Sequence, residues 1–334
     1  FLSRIFVRVI SFASEGAIFV FGTIGDPMSN LGFIFAFQVL PTIIFFASLM
    51  AVLYHLGVMQ KVVQGMAWIM LKVMRISGSE SLAVAANVFV GQTEAPLVVR
   101  PYIARMTQSE LLTMMVGGMA TIAGGVLAAY ITLLGGGDEA QRIFYAKHLL
   151  AASVMAAPAT IVLAKILMPE TEESLTKGDV RIKVEKTATN VIEAAATGAA
   201  DGVKLALNVG GMLLAFLALL ALINYPLGWF GSISGIEEAL GQPLSLSLIM
   251  GYILSPLAWV IGVPWEDAVV VGGLLGEKVV AKDVVANGHL IEIRYKNKPK
   301  ALLVATSGMC GVAMVSWVAI PMGGIGVMEP ERGC

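Results

Sequence analysis

Long stretches of apolar residues separated by short polar breaks dominate this chain, which is the pattern of a helical membrane protein. Residues 32–54, 111–134 and 205–223 contain no charged side chain. A helix that crosses the hydrocarbon core needs about 20 apolar residues, so each stretch predicts a spanning helix, and residues 148–168 predict a further helix. Paired glycines near the centre of residues 111–134 favour either close packing or local unwinding of that helix.

Other segments are shorter or more polar than a spanning helix. Residues 1–21 carry three charged side chains at helical spacing, and residues 62–74 are short and bounded by basic residues. Both predict helices that lie in the membrane interface. Residues 190–204 predict an amphipathic helix in front of the 205–223 span, and the charged residues 169–188 predict a polar linker near the middle of the chain.

Residues 79–100 contain the most informative pattern, because three polar side chains interrupt an otherwise apolar run. Gln92, Thr93 and Glu94 have about ten residues on each side, too few for either side to cross a membrane alone. Pro96 removes a backbone donor and breaks helical geometry beside them. A carboxylate at this depth is costly unless protein or a hydrated cavity receives it. The pattern therefore predicts a re-entrant helical hairpin whose polar tip binds a solute.

A single spanning helix is the alternative interpretation of the same residues. That helix would have to pair Glu94 with Arg100 inside the membrane. Residues six positions apart lie on opposite faces of a helix, so the ion pair is geometrically poor. The hairpin is therefore the favoured interpretation.

The second half of the chain repeats this order of elements. Residues 239–265 end in a Gly-Val-Pro-Trp break, residues 268–280 are too short to span, and a second polar tip follows at Lys282 and Asp283. Repeats with interrupted helices are characteristic of secondary transporters, whose sites lie between the repeats. The predicted fold is therefore an all-α polytopic membrane protein, an inverted-repeat transporter with two re-entrant helical hairpins and unwound transmembrane helices.

The elements group into five predicted regions. They are interfacial helices and a scaffold span at 1–76; a first repeat core at 77–168, with the hairpin at 79–100, an unwound helix at 111–134 and a helix at 148–168; a polar linker at 169–188; an amphipathic helix and a scaffold helix at 189–238; and a second repeat core at 239–334, with the second hairpin and an unwound helix at 301–328.

Composition agrees with a membrane transporter and argues against other classes. The chain of 334 residues is 57% hydrophobic and only 13% charged, about half the charged share of soluble proteins. Its formal net charge of -1 gives no support for nucleic acid as a partner. The sequence contains no catalytic triad, metal-ligand spacing or phosphate loop, so we expect no enzymatic activity.

The residues around the first polar tip resemble the bacterial type of the concentrative nucleoside transporter family. The resemblance extends over the whole chain and is strongest at residues 85–101, AANVFVGQTEAPLVVRP. It implies a homotrimer whose protomers cross the lipid bilayer of the cell inner (plasma) membrane several times. It also implies that two hairpins and two unwound helices enclose one nucleoside in each protomer.

The resemblance assigns the first tip to the nucleobase. Gln92, Thr93 and Glu94 would bind the base, and Val126 on the facing unwound helix would pack against it. An amide, a hydroxyl and a carboxylate can complement the donors and acceptors on the edge of a nucleobase.

The family's sodium site lies between the first hairpin and that unwound helix. This position points to Asn87, Val90, Thr121 and Ile122 in the present sequence. Backbone carbonyls freed by a broken helix, together with an asparagine carbonyl and a hydroxyl, suit a hard cation. The resemblance therefore implies sodium as the coupling ion.

The second half departs from the family pattern at the positions that bind ribose. Asp283 keeps a carboxylate one methylene shorter than the family's glutamate, and Lys282 stands where the family has asparagine. Met314 stands at a ribose-binding asparagine, and Trp317 replaces a serine beside Ser316. Asp283 and Ser316 are therefore the predicted ribose-binding residues.

These observations predict sodium-coupled symport of nucleosides by alternating access, in which the nucleoside binds well only to the sodium-loaded state. Two alternatives stay open at this stage. Glu94 could carry a proton as the coupling ion in place of sodium. The altered second half is also compatible with a relative of the same fold that binds nucleosides without translocating them.

Overall fold

The computed structural model describes residues 2–26, 29, 34–89, 91, 95–174, 176, 188–235, 237–238, 242–280 and 304–308, and within them the regular structure is helical, as predicted. The elements are α1 Leu2–Phe21, followed by a 3-10 turn at Gly22–Ile24; α2 Phe35–Gln38; α3 Leu40–His55; α4 Val58–Met74; α5 Gly78–Asn87; α6 Ala95–Ile103; α7 Gln108–Ala120; α8 Gly124–Gly135; α9 Glu139–Leu167; α10 Val191–Ile233; α11 Leu246–Ile261; and α12 Trp265–Val280.

Several of these helical stretches have the length and hydropathy to cross a membrane, so the prediction of a multi-pass membrane protein is confirmed. Among the described residues these stretches are Ser3–Ile24, Phe35–His55, Gln108–Gly135, Glu139–Leu167 and Val191–Ile233. The first of them includes α1, so the interfacial placement of residues 1–21 stays a prediction. Helix α4 has 17 residues, about one turn short of a span.

Two short helices occupy the region of the predicted first hairpin. Helix α5 has ten residues and α6 has nine, so each extends about 15 Å, half the hydrocarbon thickness. The two helices pack against each other, although only residues 88–94 separate them. This break excludes the alternative of one continuous spanning helix.

The next span is also interrupted, at residues 121–123. Helix α7 ends at Ala120, and Thr121 has an extended backbone with φ -115° and ψ 156°. The chain becomes helical again at Gly124, which begins α8. Both possibilities for the paired glycines are realised here, since the span is unwound directly before Gly124 and a Cβ on Gly124 would lie 3.1 Å from the carbonyl oxygen of Phe89.

The second half contains a sharper break. Helices α11 and α12 meet at an angle of 115°, and Gly262 at the turn has φ +113°, a conformation that favours glycine. Glycines allow the two helices to approach closely, since a Cβ added to Gly272 would lie 2.7 Å from the carbonyl oxygen of Gly251. The predicted second tip at Lys282 and Asp283 lies outside the described residues.

Two details of the sequence interpretation need correction. Residues 190–204 and 205–223 are parts of one helix, α10, which has 43 residues and continues through Pro226. Helix α9 begins at Glu139, nine residues before the predicted start at 148, because the Asp138 side chain accepts a hydrogen bond from the amide of Ala140 and caps the helix. Pro41 lies in the first turn of α3, where it replaces an amide that has no helical partner.

Helix α10 packs closely against α3 on both sides of the boundary that the sequence interpretation placed after residue 204. A Cβ on Gly198 would lie 2.8 Å from the carbonyl oxygen of Ala47, and a Cβ on Gly202 would lie 2.8 Å from the Cα of Ile44. The Ser48 hydroxyl donates to the carbonyl oxygen of Ala195 at 2.9 Å. Small residues at such interfaces maximise contact between backbones in a membrane. We refer to α3 and α10 together as the frame.

A hydrophobic core among the described residues connects the two halves of the chain. It joins Leu127 and Ile131 on α8 with Leu149 on α9 and with Leu274 on α12. The interrupted helix of the first half therefore packs beside the bent pair of the second half, as expected if the repeats form a common site at their interface.

The frame generates a prediction about stability. Gly202→Ala should lower the midpoint of thermal unfolding in detergent, because the new methyl group overlaps α3 and overpacking costs about 1–3 kcal/mol. Gly211→Ala is the matched control on the same helix, since a Cβ there meets nothing within 4 Å. Equal midpoints for the two variants would contradict the described packing.

Candidate functional site

The end of α5 and the break between α7 and α8 meet at one point, which we call the joint. The Thr121 hydroxyl lies 2.9 Å from the carbonyl oxygens of both Asn87 and Gly117. The amide of Gly124 donates to the carbonyl oxygen of Phe89 at 3.0 Å. These contacts use backbone groups that the interrupted helices leave without helical partners. The joint therefore holds two broken helices together through their own exposed backbone groups.

The Asn87 side chain is the most unusual group at the joint. Asn87 is 1% exposed, and within the described structure neither Oδ1 nor Nδ2 of its amide has a hydrogen-bond partner. A Cβ on Gly117 would lie 3.3 Å from Asn87 Nδ2, so this glycine leaves the space that the amide occupies. Leaving a buried polar group unpaired costs about 1–3 kcal/mol. Such a group is typical of a ligand-binding site, where stability is given up for function.

Apolar residues surround the joint on the side of α8. Ile122 is 3% exposed and belongs to the core that connects the two halves. Val126 is half-buried and packs at the edge of the same core. The joint therefore combines a few polar oxygens with a mostly apolar wall, the usual composition of a small-molecule site.

The structure brings together part of the predicted site. Asn87 and Thr121 are in direct contact, Ile122 follows Thr121, and Val126 lies one turn further along the chain. The remaining predicted site residues lie outside the described residues: Val90, Gln92, Thr93, Glu94, Asp283 and Ser316.

The chemistry at the joint fits a hard monovalent cation. Asn87 Oδ1 and Thr121 Oγ1 are neutral oxygens, and broken helices supply further carbonyl oxygens. In the part of the chain that the structure describes, no group of three or more His, Cys, Asp and Glu residues is arranged to hold a metal ion. The unpaired Oδ1 is the observation that favours a ligand here.

The sequence interpretation missed two buried glutamates, which lie in the first turns of α5 and α7. Glu80 is 1% exposed, and Glu110 is completely buried. Each belongs to a capping box, in which Ser77 caps α5 with Glu80 and Thr107 caps α7 with Glu110. The Ser/Thr-x-x-Glu spacing in the sequence was a signal that could have located both helix starts.

Family models match most of the chain. One, described as "Na+ dependent nucleoside transporter C-terminus", matches residues 148–334. A second, described as "Nucleoside recognition", matches residues 36–137 and therefore includes the joint.

Similar proteins include bacterial and mammalian transporters. The chain is 44% identical over 334 residues to an uncharacterized transporter of Haemophilus influenzae, covering 97% of this chain and 76% of that protein. It is 42% identical over 343 residues to sodium/nucleoside cotransporter 1 of Mus musculus, covering 98% of this chain and 50% of that protein. The chain therefore spans about half the length of this mammalian relative.

Solved structures of one transporter, CNTnw, share the fold. CNTnw in an inward-facing substrate-bound state matches with a TM-score of 0.85 and 41% identity, over 99% of this chain and 78% of that chain. A CNTnw variant in an outward-facing state matches with a TM-score of 0.83 at 41% identity, over 99% of this chain and 77% of the other. A CNTnw variant in an intermediate state matches with a TM-score of 0.87 at 41% identity, over 99% of this chain and 79% of that chain.

The unpaired amide generates a prediction that can be tested without a transport assay. Asn87→Leu should raise the midpoint of thermal unfolding in sodium-free choline buffer, because a side chain of the same shape replaces an amide that lacks partners. Asn224→Leu is the control, since Asn224 Oδ1 accepts a hydrogen bond from the amide of Leu246 at 2.9 Å. We expect that control to lower the midpoint. A lower midpoint for Asn87→Leu as well would show that its amide is paired.

Proposed function

Because the chain belongs to the concentrative, sodium-dependent nucleoside transporter family, we propose that it carries nucleosides across a membrane together with sodium. It is a multi-pass membrane protein and a transporter, not an enzyme. The mode of transport is symport by alternating access, and the substrate is a nucleoside. The residues assigned below to the ion and to the nucleoside are part of the proposal.

The observation that carries the proposal is the buried, unpaired Asn87 amide at the joint. Helix breaks inside a membrane persist where protein buries them or where they line a hydrated cavity. Here two breaks meet, one before the predicted polar tip and one in the span that faces it. Asn87 Oδ1 is then available to a ligand, and the Thr121 hydroxyl, which contacts the backbone carbonyl of Asn87, has an oxygen that can also bind a cation.

We assign the sodium ion to the joint. Asn87 and Thr121 would contribute side-chain oxygens, and Val90 and Ile122 would contribute backbone carbonyls. The positive charge would lie among the carbonyl oxygens of two broken helices and draw them together. Sodium would therefore order the joint before the nucleoside binds, which couples the two solutes because each favours the same conformation.

We assign the nucleoside to the space beyond the joint. Gln92, Thr93 and Glu94 would bind the base through hydrogen bonds, while Val126 on α8 would pack against it. Asp283 and Ser316 would contact the ribose. The half-buried position of Val126 at the edge of the core supports this arrangement, because the side chain is held in place while part of it stays accessible.

Alternating access requires one part of the protein to move against another. CNTnw has structures in inward-facing, intermediate and outward-facing states. In this chain we propose that the three interrupted pairs of helices, α5 with α6, α7 with α8 and α11 with α12, move relative to the frame. We further propose that three protomers assemble as a homotrimer in the lipid bilayer of the cell inner membrane.

Sodium should stabilise the protein through the joint. Wild-type protein should unfold at a higher temperature in sodium than in choline, since a ligand at about 100 times its Kd adds about 2.7 kcal/mol. Thr121→Val should remove most of this sodium shift. Thr132→Val is the matched control, because Thr132 is a buried threonine on α8 whose hydroxyl bonds to the carbonyl oxygen of Ala128 in the same helix.

The same measurement separates sodium from proton coupling. An equal sodium shift in Thr121→Val and Thr132→Val would contradict the assignment of the ion to the joint. A wild-type protein without any sodium shift, whose uridine binding instead strengthens at low pH, would favour Glu94 as a proton carrier.

The nucleoside assignment predicts the behaviour of Glu94→Gln. This variant should weaken sodium-dependent binding of labelled uridine by about tenfold or more, because a hydrogen bond to a charged group contributes about 1.5–3 kcal/mol. The thermal shift caused by sodium alone should stay close to the wild-type value, since the ion is assigned to the joint. Unchanged uridine affinity would remove Glu94 from the site.

A further inference from the structure

A polar cluster lies at the far end of α5 from the joint, where three helices meet. Lys165, near the end of α9, places its Nζ atom 2.6 Å from Glu80 Oε1 on α5 and donates to the hydroxyl of Ser109 on α7 at 2.8 Å. It also lies 3.3 Å from Glu170 in the segment that follows α9. One cation therefore connects α5, α7, α9 and the following segment.

The segment after α9, residues 168–174 and Thr176, lies across the starts of α5 and α7, and we call it the strap. The hydroxyls of Ser174 and Thr176 both donate to Glu110 on α7, the second at 3.1 Å. The hydroxyl of Thr107, the residue that caps α7, donates to Glu170 at 2.8 Å. The sequence interpretation placed residues 169–188 in a polar linker, but Glu170, Ser174 and Thr176 of that segment bond to residues at the starts of the core helices.

Thr176 attaches the strap to the start of the hairpin. Its hydroxyl lies 2.8 Å from the hydroxyl of Ser79, and its carbonyl oxygen accepts a hydrogen bond from the amide of Gly78 at 3.0 Å. A hydroxyl has one proton, and that of Thr176 is donated to Glu110. In the contact with Ser79 the Thr176 oxygen is therefore the acceptor. One side chain, 7% exposed, therefore joins the first turn of α5 to the first turn of α7.

Helix α5 transmits the position of this cluster to the joint. All ten residues of α5 are buried, and Asn87 lies about 10 Å along the helix from Glu80. A buried, close-packed helix moves as a unit, because its neighbours leave no room for bending. The geometry at its first turn therefore sets where the Asn87 amide stands at its last turn.

We propose that the strap is a positioning device for the coupling ion, with Lys165 and Thr176 as positioning residues. The strap holds α5, α7 and α9 together, so that the three helices move as one rigid body. It thereby keeps Asn87 in contact with Thr121. Lys165 and Thr176 touch neither solute; they act through α5 on the residues that do. The proposal rests on the proposed function where it concerns the ion, and on the described contacts alone where it concerns the rigidity of the three helices.

The test is the sodium dependence of uridine binding by Thr176→Val in the full chain. We expect the joint of the variant to adopt its sodium-binding arrangement about a fifth of the time. The sodium concentration that gives half-maximal uridine binding should then rise about fivefold. Maximal uridine binding at saturating sodium should be unchanged. Thr132→Val serves as the control, since its hydroxyl bonds only within α8 among the described contacts. An unchanged half-saturation value in Thr176→Val would overturn the proposal.

A reversible bond in place of the hydroxyl pair gives an independent test. Ser79→Cys with Thr176→Cys, with both native cysteines changed to serine, places two thiols where hydroxyls stand 2.8 Å apart. The reduced protein should need about fivefold more sodium than the oxidised protein. The same sodium dependence in both redox states would overturn the proposal.

Hydrogen exchange separates failure of the strap from failure of the proposed function. If the wild-type protein showed no response to sodium, the ion assignment would fail, but the strap would still be tested. Thr176→Val should then speed exchange of the amides in the first turns of both α5 and α7 by about tenfold, with no change in Thr132→Val. Wild-type exchange rates in both turns would overturn the proposal.

Discussion

Every helix break inside a membrane leaves backbone amides and carbonyls that lipid cannot hydrogen-bond, and the arrangement of this protein follows from how those groups are satisfied. At the joint, the hydroxyl of Thr121 reaches the carbonyl oxygens at the ends of two helices, and the amide of Gly124 binds the carbonyl oxygen of Phe89. The broken helices therefore need each other as partners. A break in the hairpin without the matching break in α7 and α8 would expose unpaired groups to hydrocarbon.

Helix α5 carries a charged side chain in its first turn and a neutral polar side chain in its last turn. The first turn holds Glu80, whose carboxylate is satisfied by Lys165, by the amide of Ser77 and by a nearby threonine hydroxyl. The last turn holds Asn87, which is neutral and unpaired in the described structure. A buried charge without a partner would destabilise the fold far more than an amide does. The neutral side chain is thus the one that can remain open to a ligand.

The sequence alone predicted the parts of the fold that depend on local signals. The polar tip and Pro96 located the break between α5 and α6, and the Gly-Val-Pro-Trp segment located the bend before α12. The pairing of Asn87 with Thr121 came from family resemblance, because residues 34 positions apart carry no local sign of contact. The strap was missed for the same reason: Ser79 and Thr176 are 97 positions apart, and a charged segment between helices has the composition of a solvated loop. The continuity of α10 was also missed, since it is stabilised by glycine contacts with α3 that no helix periodicity reveals.

The complete burial of α5 reverses the usual rules for substitution in a membrane protein. Lipid-facing positions accept bulky apolar side chains and reject polar ones, because their surroundings are fluid hydrocarbon. No residue of α5 faces lipid, and its sequence GSESLAVAAN is built from small and polar residues. Its surroundings are folded protein with fixed volume, so this helix should accept a change of polarity that keeps its partners more readily than an added methylene. The effect of a natural variant in α5 on stability should therefore follow its change in side-chain volume more closely than its change in hydropathy.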